Sequence, residues 1–160
     1  MEVCSGGGIK DSPELSQDIL TVVQGNSGTI SNMYLQASKT DLVAEDFTYT
    51  IVGLPQNGLL KLNDTDLNVG DQFSQQDIDN ESVTYTHDNS NTDQDGFYFD
   101  VLDIENGWLG AQFFNINVVA LPVASAALVS NIDCHNNDNG SIEAEVVGGI
   151  PPYQYSLDGM

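Results

Sequence analysis

Val83-Thr84-Tyr85-Thr86-His87-Asp88-Asn89-Ser90-Asn91-Thr92-Asp93-Gln94-Asp95-Gly96-Phe97-Tyr98-Phe99-Asp100-Val101-Leu102 reads as strand, polar turn, strand. Val83, Tyr85 and His87 alternate with Thr84 and Thr86; Phe97, Phe99 and Val101 alternate with Tyr98, Asp100 and Leu102. Successive side chains of a strand point to opposite faces, so each segment has one apolar face for a core and one for water. That pattern belongs to an antiparallel sheet with a single buried side. Thr, Val, Tyr and Phe suit the pleated surface. His87 shares the parity of Val83 and Tyr85, which predicts that it points inward and hydrogen-bonds a loop backbone.

The same period recurs on both sides of this stretch. Phe47, Tyr49 and Ile51 alternate with Thr48 and Thr50; Phe114, Ile116 and Val118 alternate with Asn115 and Asn117; Ile142, Ala144 and Val146 alternate with Glu143 and Glu145. Turn signals punctuate these runs at Gly25-Asn26-Ser27-Gly28, Pro55-Gln56-Asn57-Gly58, Asn63-Asp64, Asn106-Gly107 and Asn139-Gly140. Strands spaced by roughly 8–12 residues indicate a sandwich or barrel. One helical turn is expected at Ser74-Gln75-Gln76-Asp77, from a Ser N-cap with an acid three residues on. The fold class is all-β: an antiparallel cadherin-like or Ig-like β-sandwich plus the first strands of a second, incomplete β-module.

The expected division is a leader or linker over 1–17, a sandwich over 18–120, a linker over 121–128 and a partial module over 129–160. Leu121-Pro122-Val123-Ala124-Ser125-Ala126-Ala127 reads as that linker or as an entering edge strand. About forty residues after Leu121 are too few for an independent sandwich. Met1-Glu2-Val3-Cys4 has neither a basic start nor an apolar run, so no signal peptide is expected and the start reads as cut from a longer chain. The longest mostly apolar run, Val118 to Val129, is interrupted by Pro122 and Ser125 and is shorter than the ~20 residues of a spanning helix. No membrane insertion is expected.

The chain has 160 residues, with 24 Asp plus Glu against 3 Lys and no Arg, a net charge of −21. Nucleic-acid binding is excluded, because phosphates must be neutralised by Lys and Arg. An anionic membrane surface is excluded on the same ground. The carboxylates instead suit collecting divalent cations or keeping a long extracellular chain soluble. The two cysteines, Cys4 and Cys134, are too few for a disulfide scaffold. His135 beside Cys134 lacks the further ligands zinc requires, and no G-x-S-x-G or Ser/His/Asp motif occurs.

Four motifs carry a family resemblance. Leu54-Pro55-Gln56-Asn57-Gly58-Leu59-Leu60 resembles the P-x-x-G-x-L hairpin of the chondroitin sulfate proteoglycan repeat, a cadherin-like module. Phe73-Ser74-Gln75-Gln76-Asp77-Ile78, Val83-Thr84-Tyr85-Thr86-His87-Asp88 and Asp95-Gly96-Phe97-Tyr98-Phe99 follow in the order of that family's F-x-Q-x-D-I, V-x-Y-x-H-D and D-x-F-x-F. Further on, Ile132-Asp133-Cys134-His135, Asn139-Gly140-Ser141-Ile142 and Gly148-Gly149-Ile150-Pro151-Pro152-Tyr153-Gln154-Tyr155-Ser156 resemble the SprB-type repeat of Bacteroidetes surface adhesins. The second resemblance implies that Cys134 lacks its usual partner and that the last forty residues are an unfinished domain. Together they imply a secreted or cell-surface protein of a Bacteroidetes-like bacterium.

The acidic turn is the leading candidate site. From Asn91 the order N-x-D-x-D-G matches the first half of an EF-hand loop, with Gly96 at the sharp turn. Its twelfth position is Leu102 rather than Glu, and strands flank it, so an EF-hand does not fit. A looser calcium cage is the expectation carried forward: Asp88, Asn91, Asp93 and Asp95, with Asp103 and Glu105 supplying further oxygens. Calcium-binding acidic loops at module ends are what the cadherin-like resemblance implies; a solvated turn is the plain alternative. Asp41 and Asp46, with Glu45, form a weaker second candidate. Trp108 is read as core, and its exposure beside tyrosines would instead favour sugar stacking. The expectation is a non-enzymatic adhesive module, with neighbouring β-modules of the same chain as partners and a glycan or surface protein as ligand. Its rivals are a carbohydrate-binding or accessory module of a polysaccharide-degrading enzyme, and a hydrolase using an Asp pair.

Overall fold

A computed structural model describes residues 11–130 and 140–156, which form two compact units dividing between Val118 and Val119. In the first unit the strands are β1 (Glu14–Gln17), β2 (Leu20–Val23), β3 (Ser27–Thr29), β4 (Leu35–Ser38), β5 (Phe47–Gly53), β6 (Gly58–Leu62), β7 (Thr65–Asp66), β8 (Gln72–Ser74), β9 (Val83–His87), β10 (Gln94–Asp103) and β11 (Trp108–Val119). A 3-10 turn, Ala44–Asp46, precedes β5, and a short α-helix, α1 (Gln75–Asp79), follows β8. The strands make a five-stranded sheet in the order β2-β11-β10-β5-β8, a four-stranded sheet β3-β9-β6-β7 and a two-stranded pair β1-β4. The all-β sandwich expected from the alternation is what forms.

The inward parity of each strand supplies the core. Tyr49, Ile51, Phe97, Phe99, Val101, Phe114 and Ile116 from one sheet are buried with Leu60, Val83 and Tyr85 from the other. Tyr49 stacks on Phe73 with ring centroids 5.0 Å apart and planes 5° from parallel. Helix α1 begins where the sequence predicts. Ser74 Oγ accepts the Asp77 N–H at 3.1 Å and the Asp77 carboxylate takes back the Ser74 N–H at 2.7 Å, the reciprocal cap that satisfies two end donors. Its Ile78 then enters the core.

Two features of the first unit differ from expectation. Residues 14–17 lie in the expected leader, yet they pair with β4 from Glu14↔Ser38 to Gln17↔Leu35. Trp108 is 59% exposed rather than core. The reason is a bulge: Phe99 faces Gln112, but Val101 faces Leu109, so β11 spends one more residue than β10 there. The slip turns Leu109 inward and puts Trp108 outside, opposite Leu102, because one extra residue reverses every side chain beyond it.

In the second unit, the expected linker 121–128 falls largely within β12 (Val123–Ser130), which pairs antiparallel with β13 (Ser141–Val147) from Val123↔Val147 onward. The edge-strand alternative is the one that forms. Among the described residues the alternating side chains of β13 find little cover, with Ile142 58% exposed, and a two-stranded ribbon by itself makes only a marginal core. Gly148 and Gly149 take positive φ of 79° and 71°, the left-handed region that glycine alone enters freely. There the Gly149 N–H reaches the Ala120 carbonyl at 2.6 Å and the Tyr153 hydroxyl donates to the Gly148 carbonyl. Pro151-Pro152 is cis. Cys4, Cys134 and His135 lie outside the described residues. Among the described residues, no helix is long and apolar enough to cross a membrane.

Candidate functional site

Three of the four motifs meet at one end of the sandwich, where the 54–57 segment approaches the 88–95 turn; the expected 54–60 hairpin does not form, because β5 and β6 belong to different sheets and 54–57 crosses between them. Asp95, at the start of β10, is the hub. Its Oδ1 accepts the N–H groups of Gln56 (3.0 Å) and Gly96 (2.9 Å); its Oδ2 accepts the Asn57 N–H (2.9 Å) and the Tyr85 hydroxyl (2.8 Å). Four donors on two oxygens leave this carboxylate committed to the fold. Tyr85 sits at 0% exposure, and burial first, then the Asp95 carboxylate it bonds, pushes its phenol up from the ordinary value. Gly58 is needed because an added Cβ would stand 2.4 Å from the Tyr85 ring and 2.6 Å from the Thr86 carbonyl oxygen.

His87 is buried as its parity predicts. Its Nδ1 accepts two backbone N–H groups, from Gly25 and Asn89, both at 3.1 Å. The proton therefore resides on Nε2, which faces Thr92 Oγ1 at 3.0 Å. This imidazole clasps the loop, and its ring nitrogens are already spoken for. Asp88 makes the neighbouring tight turn, its Oδ1 accepting the Ser90 N–H at 2.8 Å. Asp88, Asn91 and Asp93 all point to water.

Tyr85→Phe removes one phenol donor while keeping the ring. We expect a loss of about 1 kcal/mol, the usual worth of a single hydrogen bond, read as a lower urea midpoint with an unchanged slope. An unchanged midpoint would remove the Tyr85–Asp95 link from the account.

The other end of β10 holds a second cluster. Asp103 is buried, with Oδ1 accepting the N–H groups of Glu105 (2.9 Å) and Gly107 (2.7 Å) and Oδ2 accepting from Lys39 Nζ at 2.8 Å. Lys39 also reaches Glu105 at 3.0 Å. Burial works to raise the Asp103 carboxyl; Lys39 and the backbone N–H donors outweigh it, so the group sits below the usual carboxylate range. Lys39 in turn is held above its ordinary value by Asp103 and Glu105. A lysine ammonium thus lies against Asp103 and Glu105, two of the residues expected to supply calcium oxygens.

The single cage expected from the sequence is not brought together. β10 runs from Gln94 to Asp103, and at ~3.3 Å per residue its ends lie about 30 Å apart. Asp88, Asn91, Asp93 and Asp95 belong to one end, Asp103 and Glu105 to the other. The weaker pair joins the Asp103 end: the Asp46 carbonyl accepts the Ile104 N–H at 2.9 Å, and the Asp46 carboxylate accepts the Val43 N–H at 2.8 Å. Asp41 is exposed, with φ of 65°. Among the described residues, no group of three or more His, Cys, Asp or Glu is placed to hold a metal ion.

Sequence reasoning missed Gln75 and Lys39. Gln75 is 2% exposed. Its Oε1 accepts the Ala37 N–H at 2.8 Å and the Tyr49 hydroxyl at 2.5 Å, and its Nε2 donates to Asp79 at 3.0 Å and Leu35 O at 3.4 Å. It is the Q of the F-x-Q-x-D-I motif, and it ties β4 and β5 to α1. The only available signal was an amide fixed between Phe73 and Ile78.

Comparison with known proteins accords with this structural use of the motifs. The Cadherin-like family matches residues 13–118, and the SprB repeat matches residues 126–160. FRAS1-related extracellular matrix protein 1 of Homo sapiens is 38% identical over 87 residues, 54% of this chain and 4% of that protein. Extracellular matrix protein 3 of Lytechinus variegatus is 30% identical over 112 residues, 65% of this chain and 4% of that protein. Extracellular matrix organizing protein FRAS1 of Homo sapiens is 29% identical over 139 residues, 78% of this chain and 4% of that protein. The chain therefore spans about 4% of the length of these relatives. Its first unit coincides with the 13–118 match, more than half of its length, and the chain belongs to the Cadherin-like family, followed by a SprB repeat.

Proposed function

We propose that the chain is a non-catalytic structural and adhesive module of a large secreted or cell-surface protein, stacked with neighbouring β-modules and held rigid by its own bonds rather than by calcium. The observation that carries this reading is the commitment of Asp95 and Asp103. Both carboxylates serve fold donors at opposite ends of β10, which supports a stiffness that does not depend on an ion. The matched extracellular matrix proteins support a place outside the cell, and the SprB match supports a bacterial surface.

The test is thermal melting of the full chain in calcium and in chelator. A site filled at a hundred times its dissociation constant would add about 2.7 kcal/mol, equivalent to roughly 8–12 °C for a chain of this size. The expected result is coincident melting curves. A rise of that order in calcium would overturn the self-sufficient module in favour of an ion-stiffened one.

A further inference from the structure

On the outer face of the five-stranded sheet, aromatic rings stand where an antiparallel sheet ordinarily shows polar side chains to water. Tyr98 is 51% exposed and Phe113 is 38% exposed. They oppose each other across β10 and β11, with ring centroids 4.7 Å apart. Glycines clear the surface under them: a Cβ on Gly96 would lie 2.5 Å from the Phe113 ring, and one on Gly53 3.1 Å from Tyr98. The rings therefore lie low over bare backbone, leaving accessible faces.

Beside them opens a cleft of about 280 Å³ bounded by Tyr98, Phe113 and the side chains of Gln56, Gln94 and Asn115. A second cleft of about 260 Å³ shares Gln94 and Asn115 and continues to Asn117. From Phe113 to Asn117 the groove follows β11 for about 13 Å. Among the described residues, the amides of Gln94, Asn115 and Asn117 form no hydrogen bond within the protein. Side-chain amides both donate and accept. An apolar surface rimmed by such groups marks a ligand groove.

We propose that this groove binds a neutral polysaccharide, with a sugar ring stacked on Tyr98, the Phe113 ring standing at 50° beside it, and its hydroxyls bonded by Gln94 and Asn115. Sugar rings combine an apolar C–H face with a rim of hydroxyls, which is the complement of this surface. Charge excludes sulfated or uronate-rich chains. The net charge is −21, Lys39 and Lys61 are already paired with Asp103 and Asp66, and Asp95 lines the cleft. Strand addition by a peptide is excluded as well, because β10 and β11 are both interior to the sheet and their ladder bonds are taken.

The inference adds a ligand to the adhesive reading, and the two fail separately, since glycan binding and calcium-independent melting are distinct measurements. The full chain is run in native affinity gels containing laminarin, xylan, galactomannan, hydroxyethylcellulose or chondroitin sulfate, and binding constants follow by calorimetry. The expected result is retardation by at least one neutral polysaccharide. Tyr98→Ala and Asn115→Ala each weaken it about tenfold or more, whereas Leu59→Ala, exposed on the other sheet, leaves it unchanged. Asn115→Ala removes an exposed side chain, and its melting temperature is expected to match that of the parent. No retardation by any neutral polymer, retardation by chondroitin sulfate alone, or binding undiminished in both groove variants would overturn the proposal.

Discussion

Asp95→Ala is expected to lower the unfolding free energy by about 3 kcal/mol, a large share of the 5–15 kcal/mol that holds a domain of this size. The carboxylate serves four donors at once: Gln56 N–H, Asn57 N–H, Gly96 N–H and the Tyr85 hydroxyl. Each bond to a charged acceptor is worth roughly 1.5–3 kcal/mol. Bonds that share one acceptor do not add in full, and the exposed Gln56 end can rehydrate. The Tyr85 hydroxyl and the Asn57 N–H are more covered, so their loss dominates. Urea unfolding should show a lower midpoint with an unchanged slope. Asp95→Asn keeps one acceptor and turns the other position into a donor facing donors, so it should fall between the parent and Ala. A loss within the roughly 0.5 kcal/mol of an ordinary surface substitution would mean the 54–57 crossover holds its place without Asp95.

That hub shows what in this fold could be read from residue order alone. Alternation at 83–87, 97–101 and 114–118 identified both the strands and their buried faces, because a period of two maps directly onto sheet faces. The buried state of His87 followed from parity in the same way. What alternation cannot supply is pairing. Asp95 bonds the 56–57 turn, and Lys39 bonds Asp103 from 64 residues away; neither association leaves a local trace. An acid-rich turn read alone therefore resembles a calcium loop, since carboxylates engaged with backbone N–H groups and carboxylates waiting for a cation have the same spelling. Trp108 failed for a different reason. A bulky ring in an all-β sequence reads as core filling, and the β11 bulge that puts this one outside leaves no trace in residue order.

The Tyr98–Phe113 pair lies on the open face of the five-stranded sheet. An all-β module with its acids engaged at both ends of β10 has its remaining chemistry on the open sheet face. The acidic surplus, a net charge of −21, is expected to act at longer range by repelling anionic ligands. Steering of that kind weakens with salt, whereas stacking and amide bonding in the groove do not. Selectivity for neutral chains is accordingly expected to relax at high ionic strength without loss of neutral binding.

Asp103→Ala is expected to cost about 3 kcal/mol, and its pH dependence identifies the cause. The side chain is fully covered, so its removal leaves the Gly107 and Glu105 N–H groups without their acceptor and Lys39 with the half-exposed Glu105 alone. Removing one partner of a buried pair is severe because the other partners stay buried without compensation. Lys39→Met removes only the ammonium and keeps both backbone bonds, so its effect should be the smaller of the two. Restoring apolar balance with the Asp103→Ala/Lys39→Met double variant should not recover the parent, since two N–H donors still lack an acceptor. The Asp103 carboxyl is lowered in the folded chain, so its contribution is complete above the unfolded value of about 3.9 and disappears as pH falls through the lower folded value. Lys39 is raised, so its contribution is complete below about 10.4 and is lost as pH rises through the folded value. Parent and Asp103→Ala melting temperatures should therefore differ by a constant amount from about pH 5 to 9 and converge in acid. A gap that stays constant down to the lowest pH would assign the loss to a cavity rather than to charge.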